Sequence, residues 1–158
     1  MVLDELASVP AVFRFPVGLV AATVAVLVMD WLMPRVPEGT TPPYVAASVL
    51  TRTPVDDAPA RLASVAHYLA GLGTGLLFTY FLLVAEWVAD GSSLLSTLSA
   101  TLVLYVLMVA FFAVVPLPRA VGVDGPRRSA IGRGWALVAA GYLAALVPVA
   151  VGLTLALA

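Results

Sequence analysis

The sequence predicts an all-α fold, a four-helix transmembrane bundle with a short interfacial helix in its first connector, and three observations predict it. Of 158 residues, 62% are hydrophobic and 11% charged, whereas a soluble domain is about half apolar and about a quarter charged. Mean hydropathy is +1.06. Four apolar runs are each long enough to cross about 30 Å of hydrocarbon as a helix. Four such spans consume about half of the chain and leave connectors too short for a separate domain, so 1–158 reads as one integral membrane domain.

The first span is expected over 15–33, where Thr23 and Asp30 are the strongly polar side chains. A secretory signal is the rival reading, and Asp4 and Glu5 in place of a basic n-region argue against it. The first connector, 34–61, is rich in Pro and Thr, and Tyr44–Leu50 lies between Pro43 and Pro54. Thr41 can cap this segment, and Val45 and Val49 fall on one face, which predicts a short helix at the interface. The second span, 62–87, follows Asp57-Ala58-Pro59, where the carboxylate can cap the first amides. The third, 94–115, follows Gly91-Ser92-Ser93 and is stopped by Pro116 and Pro118. The fourth, 134–157, contains Pro148, which removes the partner of the Ala144 carbonyl and predicts a mild bend.

Composition excludes several chemistries. Without cysteine there are no disulfides, thiolate metal sites, iron–sulfur clusters or covalently attached haem. All eight basic residues are Arg, so no lysine Schiff base and no Walker A motif can form. A net charge of −1 offers no basic footprint, and no nucleic-acid partner is expected. No cofactor and no metal ion are expected either.

The arginines set the expected orientation. Arg35, Arg52 and Arg61 lie in the first connector and Arg119, Arg127, Arg128 and Arg133 in the third, while the N-terminal side holds Arg14 alone. The positive-inside rule then makes both Arg-bearing loops cytoplasmic and both termini external, in a multi-pass protein of the cell membrane.

An ionisable group within a span costs a few kcal/mol on insertion scales and needs a partner. Asp30 falls about 9 Å to the cytoplasmic side of the first span's centre and His67 about 12 Å to the same side of the second's. A carboxylate near a helix C-terminus opposes the helix dipole, so Asp30 is expected to meet His67, Arg61 or Arg35 in a polar cluster. The plainer role for that cluster is fixing helix register, and the sharper one is a proton relay or ligand site. One histidine cannot supply two axial haem ligands within a chain.

His67, Gly71, Thr74 and Phe78 share a face of the second span. Gly71 with Gly75, Gly18 with Ala22, and Gly141 with Ala145 are small-xxx-small pairs suited to close helix packing. The Gly71–Gly75 run imitates part of a dinucleotide fingerprint, yet no strand precedes it. Glu86, beside Trp87 and Asp90, reads as a solvated interfacial carboxylate, and Trp31 and Trp135 as interfacial anchors. Tyr105 falls near the middle of the third span, where its hydroxyl needs Thr74 or the carbonyl freed by Pro148.

Gly18 through Asp30, the Pro-bearing loop with Tyr44-Val45-Ala46, and His67 followed by Gly71 and Gly75 together resemble a group of small four-span membrane proteins of unknown function, found largely in haloarchaea and loosely similar to YagU-like inner-membrane proteins. The resemblance covers about the first half of the chain and implies architecture; it carries over no catalytic residues.

The leading functional expectation is a non-enzymatic structural or accessory subunit of a membrane assembly, packed through its Gly and Ala faces with a second copy or a larger membrane partner. One alternative is a proton-coupled transporter or channel, with Asp30, His67 and Tyr105 lining an oligomeric pathway. The other is a redox-complex subunit contributing one haem or quinone contact. Paired carboxylates at depth, metal-ligand clusters and nucleotide motifs are missing from the sequence.

Overall fold

The computed structural model describes residues 9–158, so Asp4 and Glu5 lie outside the described residues. The described chain is built from helices and short turns: α1 (Ala11–Leu32), α2 (Pro42–Thr51), α3 (Ala60–Val88), α4 (Leu94–Val114) and α5 (Gly125–Leu157), with single 3-10 turns at Met33–Arg35, Val55–Asp57 and Leu117–Arg119. Four helices, α1, α3, α4 and α5, are long and apolar enough to cross a membrane. A helix satisfies its backbone groups within its own segment, which is what hydrocarbon surroundings require.

The four spans form a ring in chain order. α1 packs on α3 and α5, and α4 closes the ring between α3 and α5. The core along the bundle axis includes Ala21, Ala22, Ala25, Val26 and Met29 of α1 against Phe78 and Leu82 of α3, Ala100 and Leu104 of α4, and Val138, Tyr142 and Leu146 of α5. α1 is the most buried span and α4 the least.

Helix ends depart from expectation in instructive ways. α1 starts four residues before the predicted 15, which places Arg14 inside the helix and facing the bundle. α5 starts nine residues before the predicted 134: Asp124 accepts from the Arg127 amide at 2.8 Å and Pro126 sits in the first turn, a cap followed by a pre-set φ. Arg127, Arg128 and Arg133 are therefore helical rather than part of a loop. Asp57 does not cap α3; Pro59 occupies the N-cap and no side chain bonds the free amides. Thr41 takes the N-cap position of α2 without bonding its amides, and its hydroxyl donates to Glu38 instead. α4 carries a full capping box between Ser93 and Ser96. α5 continues through Pro148 to Leu157. The α3–α4 turn needs φ of +56° at Asp90 and +147° at Gly91, the latter a conformation that glycine alone adopts freely.

The end carrying the arginine connectors is closed by α2. Val45, Val55, Phe112, Leu117, Ala120, Val123 and Ile131 form a second apolar core there. Ser48 Oγ donates to the Thr53 carbonyl at 2.6 Å and accepts from the Val121 amide at 3.2 Å, while the Val55 amide donates to the Val121 carbonyl at 3.0 Å. These bonds tie the first connector to the third. Arg127 adds a fork onto both Asp56 oxygens at 2.8 and 2.7 Å and a bond to Glu38 at 3.1 Å. The guanidinium beside Asp56 holds that carboxyl below its ordinary range.

Candidate functional site

Two polar clusters join α1 to α3, one at each end of their shared seam. At the arginine-connector end, His67 Nε2 lies 2.7 Å from Asp30 Oδ1, and the Tyr68 hydroxyl donates to Asp30 Oδ2 at 2.8 Å. The His67 and Tyr68 rings meet edge-on with centroids 5.2 Å apart. Asp30, which opposes the α1 dipole near that helix's C-terminus, thus receives two donors from one partner helix. His67 is nearly covered while Asp30 keeps about a third of its side chain exposed, at 9% and 33% respectively.

Of the expected cluster, Asp30 and His67 come together and the two arginines do not join them. Arg35 folds back over Trp31, its guanidinium carbon 3.8 Å from the ring centroid, and donates to the Trp31 carbonyl; cation–π attraction and an unpaired end-of-helix carbonyl hold it there. Arg61 is exposed in the first turn of α3. Tyr68, absent from the expected cluster, was legible in principle: it is one residue and about 100° beyond His67 on a helix, so two adjacent rings can straddle a single carboxylate.

His67 also forms part of the wall of a cavity of about 600 Å³ between α3 and α4. Ala66, Ala70, Gly73 and Thr74 of α3 face Leu104, Leu107, Met108 and Phe111 of α4 across it, and Pro42, Pro43 and Ala46 of α2 close it at the arginine-connector end. Leu77, Leu107 and Phe111 at its edge are 43%, 43% and 58% exposed, so it opens sideways out of the bundle. The lining polar groups are mostly engaged. Thr74 Oγ1 donates to the Ala70 carbonyl at 2.7 Å, Trp135 Nε1 to the Met108 carbonyl at 3.1 Å, and the Tyr142 hydroxyl to the Gly71 carbonyl at 2.7 Å. Among the described residues His67 Nδ1 has no hydrogen-bond partner, and it belongs to the one ionisable ring in the lining apart from the engaged Tyr142.

The structure corrects two readings here and adds a residue. Trp135 does not sit as an exposed anchor; it turns inward against Phe112, ring centroids 5.0 Å apart, whereas Trp31 is 61% exposed. The Tyr105 hydroxyl reaches neither Thr74 nor Ala144 and donates to the Ala136 carbonyl at 3.2 Å, because α4 and α5 are direct neighbours and the backbone of α5 is the nearer acceptor. Tyr142, not singled out by the sequence, is the fully buried aromatic that crosses from α5 to α3.

The opposite end overturns a third. Glu86 is 9% exposed rather than solvated and accepts a forked pair of bonds from Arg14, at 2.5 and 2.8 Å, with the Ser92 hydroxyl adding a third at 2.8 Å. Arg14 itself is 5% exposed. A planar guanidinium matched to a carboxylate in this way is the arrangement in which two buried charges satisfy each other.

Between the two clusters the helices touch backbone to backbone. A Cβ on Gly18 would lie 2.9 Å from the Gly75 carbonyl oxygen and 2.1 Å from Thr79 Oγ1; one on Gly75 would lie 2.5 Å from the Gly18 oxygen and 2.4 Å from the Ala22 Cβ. Gly71 receives Val26 and Gly141 receives Leu32, each within 2.3 Å of where a Cβ would stand. Ala145 packs against the same core, partly buried. The small-residue faces expected to meet a partner are therefore occupied inside the chain.

Among the described residues no group of three or more His, Asp or Glu could hold a metal ion. No family model, curated protein or solved structure matches the chain.

Proposed function

We propose that this multi-pass membrane protein is a non-enzymatic subunit whose lateral cavity holds a lipophilic molecule, with His67 as its polar contact. The observation that carries the reading is the cavity itself: about 600 Å³, apolar nearly throughout, open at its edge through Leu77, Leu107 and Phe111. Sites for small molecules span about 300–1,000 Å³ and pair an apolar lining with a few placed polar groups.

Orientation belongs to the same proposal. Seven of the eight arginines gather at the α2 end and Arg14 alone lies at the other, so the positive-inside rule places the α2 end in the cytoplasm with both termini external. The cavity would then face the inner leaflet. Transport along the α1–α3 seam is disfavoured by its geometry, since Gly18 and Gly75 leave no room for water between the two polar clusters. An accessory role in a larger assembly or a homo-oligomer fits the outer face of α4, where Leu98, Leu102 and Val106 are each more than half exposed.

Tryptophan quenching tests the cavity. In a Trp31→Phe/Trp87→Phe background Trp135 is the remaining indole, and it lines the cavity. A brominated C16 chain added to nanodiscs at rising mole fraction is expected to quench it in a saturable manner. Gly73→Leu, which projects into the cavity from a position where an added Cβ meets nothing within 4 Å, is expected to abolish the saturable part. Quenching that rises linearly and is the same in Gly73→Leu would mean that Trp135 simply meets bulk lipid, and the reading would fall.

A further inference from the structure

The geometry points to the chemical class of the occupant: we infer that the cavity takes a lipophile carrying a hydroxyl, such as a long-chain alcohol, a phenol or a hydroquinone, whose O–H donates to His67 Nδ1. This inference rests on the lipophile-binding reading above and deepens it.

The tautomer of His67 decides the sign of the contact. Asp30 is a carboxylate that accepts two bonds, one from Tyr68 Oη at 2.8 Å and one from His67 Nε2 at 2.7 Å. With Asp30 as the acceptor of both bonds, the His67 tautomer that completes this one carries its proton on Nε2. In a neutral imidazole the other nitrogen is then an acceptor, and the hydrogen bond made by one nitrogen fixes the role of its partner. Nδ1 therefore presents a lone pair.

Every other polar side chain lining the space has its donor already bonded to a main-chain carbonyl: Thr74, Trp135 and Tyr142. A ligand carbonyl or ether would find no free side-chain donor in the cavity, while a ligand hydroxyl would find acceptors: the His67 Nδ1 lone pair and the unused lone pairs of the Thr74 and Tyr142 hydroxyls. Selectivity follows from this asymmetry, because a group that leaves a buried partner unmatched loses more than a matched group gains. Position fits a chain with one polar end. His67 is seven residues into α3, roughly 10 Å along the helix from Ala60, and the cavity runs from it past Thr74 to Leu77, toward the bundle's middle.

The test uses full-length protein in nanodiscs and three probes of matched length: hexadecane, hexadecyl methyl ether and 1-hexadecanol. Each competes with the brominated C16 chain for Trp135, and the single histidine is labelled with ¹⁵N to report on Nδ1 directly. The expected result is competition by hexadecanol at a mole fraction lower than the ether's by up to roughly tenfold, the size of one net hydrogen bond, together with a shift of the Nδ1 resonance that the ether does not cause. His67→Phe should erase the preference while leaving saturable quenching in place, and the ¹⁵N measurement on unaltered protein stands should that variant fail to fold. Equal competition by alcohol and ether with no Nδ1 shift overturns the hydroxyl inference and leaves the cavity reading intact. Absence of saturable quenching with every probe overturns the cavity reading as well.

Discussion

The Arg14–Glu86 pair carries the sharpest energetic prediction. Both residues are at least nine-tenths covered, and the fork is two-point, 2.5 and 2.8 Å. Charge centres about 4 Å apart attract by about 4 kcal/mol at an effective dielectric of about 20, and removing one member of a buried pair leaves the other uncompensated at a cost of about 3–5 kcal/mol. Glu86→Met and Arg14→Met should therefore each destabilise the bundle by about 3–5 kcal/mol. The double substitution should recover most of that loss, since well-packed apolar replacements of a buried pair are often neutral. The assay is reversible SDS titration in mixed micelles followed by circular dichroism, with all four corners of the cycle measured. Single costs below about 1 kcal/mol, or a double mutant no better than the sum of the singles, would refute the claim that these charges hold each other out of water.

The two glycines of α3 should behave oppositely. Gly75→Leu collides with the Gly18 backbone and Ala22 and should destabilise by at least about 1–3 kcal/mol in the same titration, whereas Gly73→Ala, which meets nothing within 4 Å, should be neutral or up to about 1 kcal/mol stabilising through helix propensity. Tyr142→Phe removes the bond to the Gly71 carbonyl and should cost about 0.5–1.5 kcal/mol by the same measure. The Asp56–Arg127 fork should fail in acid: the folded carboxyl lies below its ordinary value of 3.8, so its contribution is complete above that value and is lost as pH falls through the lower folded one, read as loss of hydrogen-exchange protection at the Val55 amide, which bonds Val121 beside it. With no native cysteine, Asp90→Cys should react with an impermeant maleimide added outside intact cells and Arg52→Cys should not; the reverse pattern would invert the proposed orientation.

The four spans were legible because hydrocarbon demands about 20 apolar residues and little else, and α2 because Pro and Thr mark its start. What failed to show were partners that depend on which way a helix faces. Arg14 reads as a residue just outside a span and Glu86 as one just inside its far end, and neither position reveals that the helices are long enough to bring them together. Asp30 and His67 were legible as a pair because their depths match, while Arg35 and Arg61 were not separable from His67 by depth alone. Arg35 had a nearer acceptor in its own helix, the Trp31 carbonyl, and local bonding of this kind leaves no trace in spacing between spans.

The same small residues serve two opposed ends on α3, and the helical period separates them. Gly71, Gly75 and Thr79, four apart, lie on the stripe that meets α1, where the missing side chains allow two backbones to touch and lock the seam between the polar clusters. Ala66, Ala70, Gly73 and Thr74 lie on the stripe toward α4, where the larger Leu107, Met108 and Phe111 do not reach far enough across to fill what the small side chains vacate. Close packing would leave no void larger than a water molecule in an ordinary core, so a space of about 600 Å³ beside the least buried span is a departure from ordinary packing. α1, α3 and α5 meet through glycine contacts and the Tyr142 bond, and α4 packs on both α3 and α5, with Tyr105, Trp135 and Phe112 supplying its hydrogen-bonded and aromatic contacts to α5. The cavity therefore lies between two helices that do pack on each other, where the small-residue stripe of α3 leaves a space that the side chains of α4 do not fill.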